Sequence, residues 1–276
     1  MKTRLKEKLV IGMLAFAMLG MTSCGKDEDK ATTSPDTNSM ELLSYMPPKK
    51  IKQVITEHDG DGYTITFFWD GDLLVGQETS YVGEEGVRNR EKYVYSNGRL
   101  DTVYKKWMDS HMGGYEKMIY EGDRLVKIKR VSNVFMVEVD GRIFVEEYEF
   151  SQTSETELVY KDGYVSEVRD GNYVEKYEWE YGNVVKYTQR FLDEPDNSCV
   201  NIMKYDSNPS PFPVIGMPFN RVGQSWCKNN PIKSICTCEN VDYDITYTYD
   251  SDGMPVSSVW VDANGRVERM TYTYYE

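Results

Sequence analysis

Five cysteines, two histidines and 45 acidic residues are the groups in this 276-residue chain that could bridge, ligate or move protons. Cys199, Cys227, Cys236 and Cys238 cluster in the last third, and an even count permits two disulfides in an exported chain. Cys236 and Cys238 fall on the same face of a strand, close but badly placed to bridge each other across one residue. Pairing of either with Cys199 or Cys227 is the expectation, with unpaired core thiols as the alternative. No histidine neighbours them, so no metal site is expected. Cys24 stands far from the other four, followed at once by Gly25 and the charge run Lys26-Asp27-Glu28-Asp29.

The histidines, His58 and His111, lie in the loop-like contexts "TEHDGDG" and "MDSHMGG" and read as exposed. No nucleophile elbow and no H-E-x-x-H pair occurs, so no catalytic residue is assigned and no cofactor is expected. The acidic loops at 58–62, 192–197 and 250–253 offer clustered oxygens, yet none reaches the ligand count of a dedicated calcium loop, and Asp and Gly are also what turns use. Carboxylates are numerous enough to supply a glycosidase pair, but abundance singles out no pair. Trp69, Trp107, Trp179 and Trp260 read mainly as packing residues. Trp226 lies where prolines break the strand pattern, in "SNPSPFPVIGMPFNRVGQSWCKNNP", and long loops on β scaffolds carry function. It is the ligand-binding candidate.

The chain opens with the basic "MKTRLKEK" and a twelve-residue apolar run, Leu9 to Gly20, too short for about 30 Å of hydrocarbon and suited to an export signal. Met21-Thr22-Ser23-Cys24 resembles the lipobox of bacterial lipoproteins, with Met21 where leucine is commoner. The resemblance implies that residues 1–23 are removed and that Cys24 carries acyl chains as the first mature residue. Several such chains anchor stably, at about 0.8 kcal/mol per buried methylene. Lys26, Asp27, Glu28 and Asp29 resemble the export signal of surface lipoproteins in some gut- and mouth-dwelling Gram-negative bacteria, which implies display on the outer face of the outer membrane; a plain solvated spacer is the other reading. Residues 24–39, rich in Ser, Thr, Asp and Pro, read as a flexible tether, and 40–276 as one domain.

The leader carries a net charge of +3, so its loss takes the formal charge from -13 to about -16. Such a surface repels phosphate backbones, and no nucleic-acid partner is expected. The 22 tyrosines, with abundant Val and Thr, point to strands. "VDYDITYTYD" alternates, with Val241, Tyr243, Ile245, Tyr247 and Tyr249 on one face. An aromatic or apolar residue followed by Gly at +3 and a branched residue at +5 recurs as Phe68…Gly71…Leu73, Tyr95…Gly98…Leu100, Tyr160…Gly163…Val165 and Trp179…Gly182…Val184, and "YEGDRL" is a variant. Asn97-Gly98, Asp140-Gly141, Asp162-Gly163 and Asn264-Gly265 predict two-residue hairpin turns. The architecture expected is a soluble, all-β antiparallel meander of hairpins, forming a large curved sheet or an open to near-closed barrel.

These units resemble the tyrosine-aspartate repeats of the Rhs and teneurin type. With the lipobox, "KYDSNPSPF" at 204–212, "KNNPIKSI" at 228–235 and the late "YTYDSDGMPVSSV", the layout resembles a family of Bacteroidetes lipoproteins, a domain of unknown function with a porin-like fold. The resemblance implies fold and brings no catalytic residues. Charges at short intervals in "YVEKYEWEYG" argue against a lipid-facing band. The reading is a lipid-anchored outer-membrane protein facing the cell exterior, with a non-catalytic binding or assembly role toward a glycan or envelope partner. The alternatives are a glycan hydrolase and a purely structural envelope component.

Overall fold

The computed structural model describes residues 47–58, 61–108, 110–193, 198–212, 227–237 and 241–276. The strands are β1 (Ile51–His58), β2 (Asp61–Asp70), β3 (Leu73–Tyr81), β4 (Asn89–Ser96), β5 (Arg99–Trp107), β6 (Met112–Glu121), β7 (Arg124–Val139), β8 (Arg142–Glu146) and β9 (Gln152–Lys161). They continue as β10 (Tyr164–Asp170), β11 (Tyr173–Glu180), β12 (Asn183–Phe191), β13 (Ser198–Pro209), β14 (Asn229–Cys236), β15 (Val241–Tyr249), β16 (Pro255–Asp262) and β17 (Val267–Tyr274).

Every pairing is antiparallel between sequence neighbours, with two exceptions that fix the architecture. β1 pairs β17 from Ile51↔Tyr274 to His58↔Glu268, which closes the sheet. β7 pairs both β8 and β9, and β8 pairs only β7. Leaving β8 aside, sixteen strands form a ring with no free edge. The expected soluble curved sheet or open to near-closed barrel is therefore corrected to a fully closed barrel. Closure satisfies the edge hydrogen bonds that a curved sheet would leave exposed.

Asn133, at φ 58°, explains how β8 leaves the ring. It sits in β7 between the residues that pair β9, ending at Ser132, and those that pair β8, starting at Phe135. The left-handed residue bends the strand outward. The β7–β8 hairpin then lies over the outside of β4 to β6. Lys92 Nζ bonds Glu138 Oε1 at 3.0 Å, and Val131, Val134 and Met136 form a small second core with Tyr104 and Tyr115.

The tight turns follow two chemistries. Asn97-Gly98, Asp140-Gly141, Asp162-Gly163 and Tyr181-Gly182 have positive φ at both positions, as type I′ turns require, whereas Gly71, Gly122 and Gly171 have it at the first position only, as type II′ turns require. Asn264-Gly265 departs from the expectation: it belongs to a longer loop in which Gly265 N–H donates to Asp262 O and Asp262 N–H to Arg266 O.

Counting from the second turn residue aligns all copies of the repeat: Trp69, Tyr95, Tyr120, Tyr160 and Trp179 each stand three positions before it. The first copy is thus Trp69…Leu74, one residue later than the spacing from Gly71 indicated. At most of these aromatics the register slips by one residue, as between Phe68 and Trp69, Val94 and Tyr95, and Ile119 and Tyr120. Each such bulge aims the ring at the preceding hairpin. Trp69 Nε1 donates to Ile51 O (2.8 Å), Tyr95 to Leu74 O (2.8 Å), Tyr120 to Leu100 O (2.9 Å), Tyr160 to Leu125 O (2.7 Å), Trp179 to Val165 O (2.7 Å) and Tyr205 to Val184 O (2.8 Å). Tyr274 donates to Pro255 O at 2.7 Å. An aromatic girdle thus stitches hairpin to hairpin around the tight-turn end of the barrel.

The main core fills the ring at this end, with Ile51, Phe67, Val103, Ile128 and Val184 fully buried. Phe212, at the start of the long β13–β14 connection, packs against Phe67 and Tyr272 inside the ring. Outward positions carry ion pairs, including Lys117–Asp101, Lys127–Glu155 and Lys233–Asp244. The chain enters β1 at the girdle end, held by Lys49 to Asp250 (2.7 Å) and by Lys50 to Asp72 (2.6 Å).

Candidate functional site

Two residues from the core, on the same strand face, stand Gln77, Glu91, Lys105, Glu116, Arg130, Thr156, Asp170, Glu175, Gln189, Asn201 and Glu268. Side chains alternate along a strand, so Glu116 points the same way as buried Met118, and Arg130 the same way as buried Ile128. Register joins them strand to strand: Gln77↔Glu91, Glu91↔Lys105, Glu116↔Arg130, Thr156↔Asp170 and Glu175↔Gln189. The result is a polar belt lining the barrel interior, above the apolar core and away from the girdle.

On β5 to β10 the belt is an ion-pair network. Glu116, 3% exposed, accepts from Lys105 Nζ at 2.9 Å and Arg130 Nε at 3.1 Å on a single oxygen, Oε1. Arg130 also bonds Asp170 Oδ2 (2.5 Å) and Thr156 Oγ1 (2.6 Å), and Thr156 donates to the same Asp170 oxygen (2.9 Å). On β11 to β13 the partners are neutral: Glu175 accepts from Tyr173, Tyr177 and Gln189, and Asn201 donates to Gln189. Burial and the Glu175 carboxylate together hold the Tyr177 phenol well above its ordinary pKa.

On the remaining wall, from β14 through β1 to β3, several buried oxygens have no partner among the described residues. Thr56 Oγ1, Gln77 Oε1, Ser234 Oγ and Glu268 Oε1 are buried without a hydrogen-bond partner, as is Glu116 Oε2 on the opposite wall. Burial raises the pKa of the Glu268 carboxyl, and His58, directly opposite it on β1, partly offsets this. Trp260 lies opposite Glu268 on β16. Native proteins pair nearly all buried polar groups with protein or water, so these oxygens are the places in the interior open to a further partner. Among the described residues no group of three or more His, Cys, Asp or Glu is arranged to hold a metal ion.

The residues singled out from sequence are distributed differently. Cys24, Lys26, Asp27, Glu28, Asp29, Trp226 and Cys238 lie outside the described residues. Cys199 is disulfide-bonded to a partner beyond the described set, while Cys227 and Cys236 are buried. Cys236 Sγ lies 3.2 Å from Cys199 Sγ, and Cys227 Sγ lies 3.1 Å from the Tyr205 hydroxyl. His58 ends β1 half-buried, with Nδ1 at 3.2 Å from Val267 O, whereas His111 is exposed in the bend before β6 with its ring against Phe135. The acidic 250–253 loop spends its carboxylate on its own turn: Asp250 Oδ1 accepts from Asp252 and Met254 N–H, and Oδ2 binds Lys49. Trp69 and Trp179 belong to the girdle, Trp260 Nε1 donates to Ser258 Oγ, and Trp107 is exposed.

No known protein family matches the chain by sequence, and no curated protein matches it either. Solved structures that match the chain include two porin-like proteins. A porin-like protein from Bacteroides uniformis ATCC 8492 superposes with a TM-score of 0.50 at 12% identity, covering 84% of this chain and 98% of that one. A porin-like protein from Bacteroides vulgatus ATCC 8482 gives 0.45 at 11%, covering 82% and 99%. At such identity the first likeness is one of fold, and it agrees with the topology: the chain is an all-β, closed, porin-like antiparallel barrel.

Proposed function

We propose that this chain is a lipid-anchored outer-membrane barrel protein, held by acyl chains on Cys24 and displayed on the cell exterior, whose interior binds a polar ligand without turning it over. The observation that carries the binding role is the belt: buried oxygens without partners converge on one interior. The carboxylates of the belt favour binding over hydrolysis. Glu116 and Asp170 are tied to Arg130, and Glu175 to two phenols and an amide, so each is engaged by donors rather than set against a second carboxylate for acid–base work. The anchor reading rests on the leader and on Met21-Thr22-Ser23-Cys24, and the outward ion pairs support attachment through the acyl chains. Because β1 starts at the girdle end, a tether on Cys24 leaves the belt end facing away from the membrane.

The binding test is a thermal-shift and calorimetric screen of the mature chain against glycans, peptides and small polar metabolites; saturable binding is expected, and a uniformly negative screen refutes the role. Localisation is tested by labelling with a radiolabelled fatty acid and by protease treatment of intact cells. Cys24→Ser is expected to abolish labelling, and a fully protected wild-type chain overturns surface display.

A further inference from the structure

Resting on that reading, we propose that the wall of the barrel interior centred on the unpartnered Glu268 Oε1 recognises an organic cation bearing primary ammonium groups. The two halves of the belt differ in charge balance. Lys105 and Arg130 neutralise the β5 to β10 wall. On the other wall Asp262 Oδ1 takes the N–H groups of Asn264 and Arg266, both at 2.8 Å, and on β4, between the two walls, Glu91 takes the Tyr93 hydroxyl at 2.9 Å. Glu268 receives neither kind of help at Oε1.

The orphan set fixes the ligand's polarity. Glu268 Oε1 and Gln77 Oε1 can only accept, whereas the Thr56 and Ser234 hydroxyls can donate or accept. An anion repels the Glu268 carboxylate and gives neither Oε1 atom a donor. An ammonium group brings three donors and no acceptor, and its charge compensates a carboxylate already removed from water. Trp260, opposite Glu268 in the register, adds an aromatic ring of the kind that attracts cations.

Spacing sets the ligand's length. Ser234 on β14 and Gln77 on β3 stand three strands to either side of Glu268, roughly 14 Å along the wall at about 4.8 Å per strand. One ammonium at Glu268 and Thr56 leaves the flanking oxygens for a second donor on the same chain, as in a linear diamine or polyamine.

The probes are 1,8-diaminooctane and 1,8-octanediol, which share a skeleton and differ in charge. Calorimetry on the mature chain at neutral pH is expected to show saturable binding of the diamine and none of the diol. Glu268→Gln is expected to weaken the diamine at least tenfold and Thr56→Val several-fold, with thermal melts confirming that both variants fold. Equal binding of diol and diamine, or diamine binding unchanged in Glu268→Gln, overturns the proposal. If neutral glycans bind and the diamine does not, this inference fails and the general binding role stands. If nothing binds, both fail.

Discussion

The hydroxyl of Tyr120 on β6 donates to the carbonyl oxygen of Leu100 on β5 at 2.9 Å, and so ties one hairpin to the next. The phenol is largely buried, which raises its pKa, and the Arg99 guanidinium stacks 4.8 Å from its ring centre. Tyr120→Phe keeps the ring and removes the donor, leaving a buried carbonyl unpaired. It is expected to cost about 1 kcal/mol. Tyr95→Phe and Tyr160→Phe break equivalent bonds in other hairpins, so the triple variant is expected to lose about 3 kcal/mol by near-additivity. Urea denaturation with unchanged m-values checks this; a triple variant as stable as wild type would show that the girdle contributes packing alone.

Tyr181 occupies the first position of a type I′ turn at φ 52°, and its side chain is 94% exposed. It gains no packing to offset a left-handed backbone that costs a non-glycine residue about 1–2 kcal/mol. Asn97 stands there in another turn of this barrel, and Asp140 and Asp162 in two more. Tyr181→Asn is expected to stabilise the chain by about 1 kcal/mol, raising Tm by about 2–4 °C at this size. Gly182→Ala, beside it at φ 82°, is expected to destabilise, since a Cβ there would lie 2.8 Å from the Lys228 side chain.

The hairpins were legible because turn chemistry is local: Asn97-Gly98 and Asp162-Gly163 reverse the chain wherever they stand. Closure was not. It depends on Ile51 meeting Tyr274 across nearly the whole chain, and no nearby residue announces that pairing. The belt was hidden for a different reason. In "GYEKMIY" the adjacent Glu116 and Lys117 point to opposite faces, and neither residue type says which face is inward. Only the parity of Glu116 with Met118 and Tyr120 reveals that it faces inward. Trp226, singled out for its irregular surroundings, and the residues around Cys24 lie outside the described structure, so the sequence-derived sites and the belt share no residue.

Arg130 is the cation that Glu116 and Asp170 share. Arg130→Met is expected to cost about 3–5 kcal/mol, because Glu116 stays buried with Lys105 as its remaining basic partner. Adding Glu116→Gln to that background removes the stranded charge and is expected to recover part of the loss. A double-mutant cycle by chemical denaturation measures the coupling, and additive costs would show that the pair is not a unit.

Cys227 is fully buried, and desolvation pushes its thiol up to about 11 despite the Tyr205 contact. At pH 8 it is overwhelmingly protonated and out of reach of reagent. Iodoacetamide is expected to leave it unmodified in the native chain and to alkylate it fully in guanidinium, as read by peptide mass mapping. Rapid native modification would mean that the Tyr205–Cys227 contact opens readily.

Glu268 has a folded-state pKa raised above its unfolded value by burial, and the groups facing it are His58 on β1, Trp260 on β16 and Tyr272 on its own strand. For a carboxyl shifted upward the folded state binds the proton more tightly than the unfolded chain does. Its favourable contribution is therefore complete below the unfolded pKa and fades as pH rises through the folded one, where the buried group must ionise. Glu268→Gln removes this penalty. The variant is expected to be more stable than wild type at pH 7 to 8, with the advantage shrinking as pH falls and gone below about pH 4, the unfolded carboxyl range. Thermal melts at matched pH values check the sign. A variant less stable than wild type at neutral pH would mean that ionised Glu268 is held by a favourable partner in the apo barrel, which would remove the unpartnered carboxylate on which its cation binding rests.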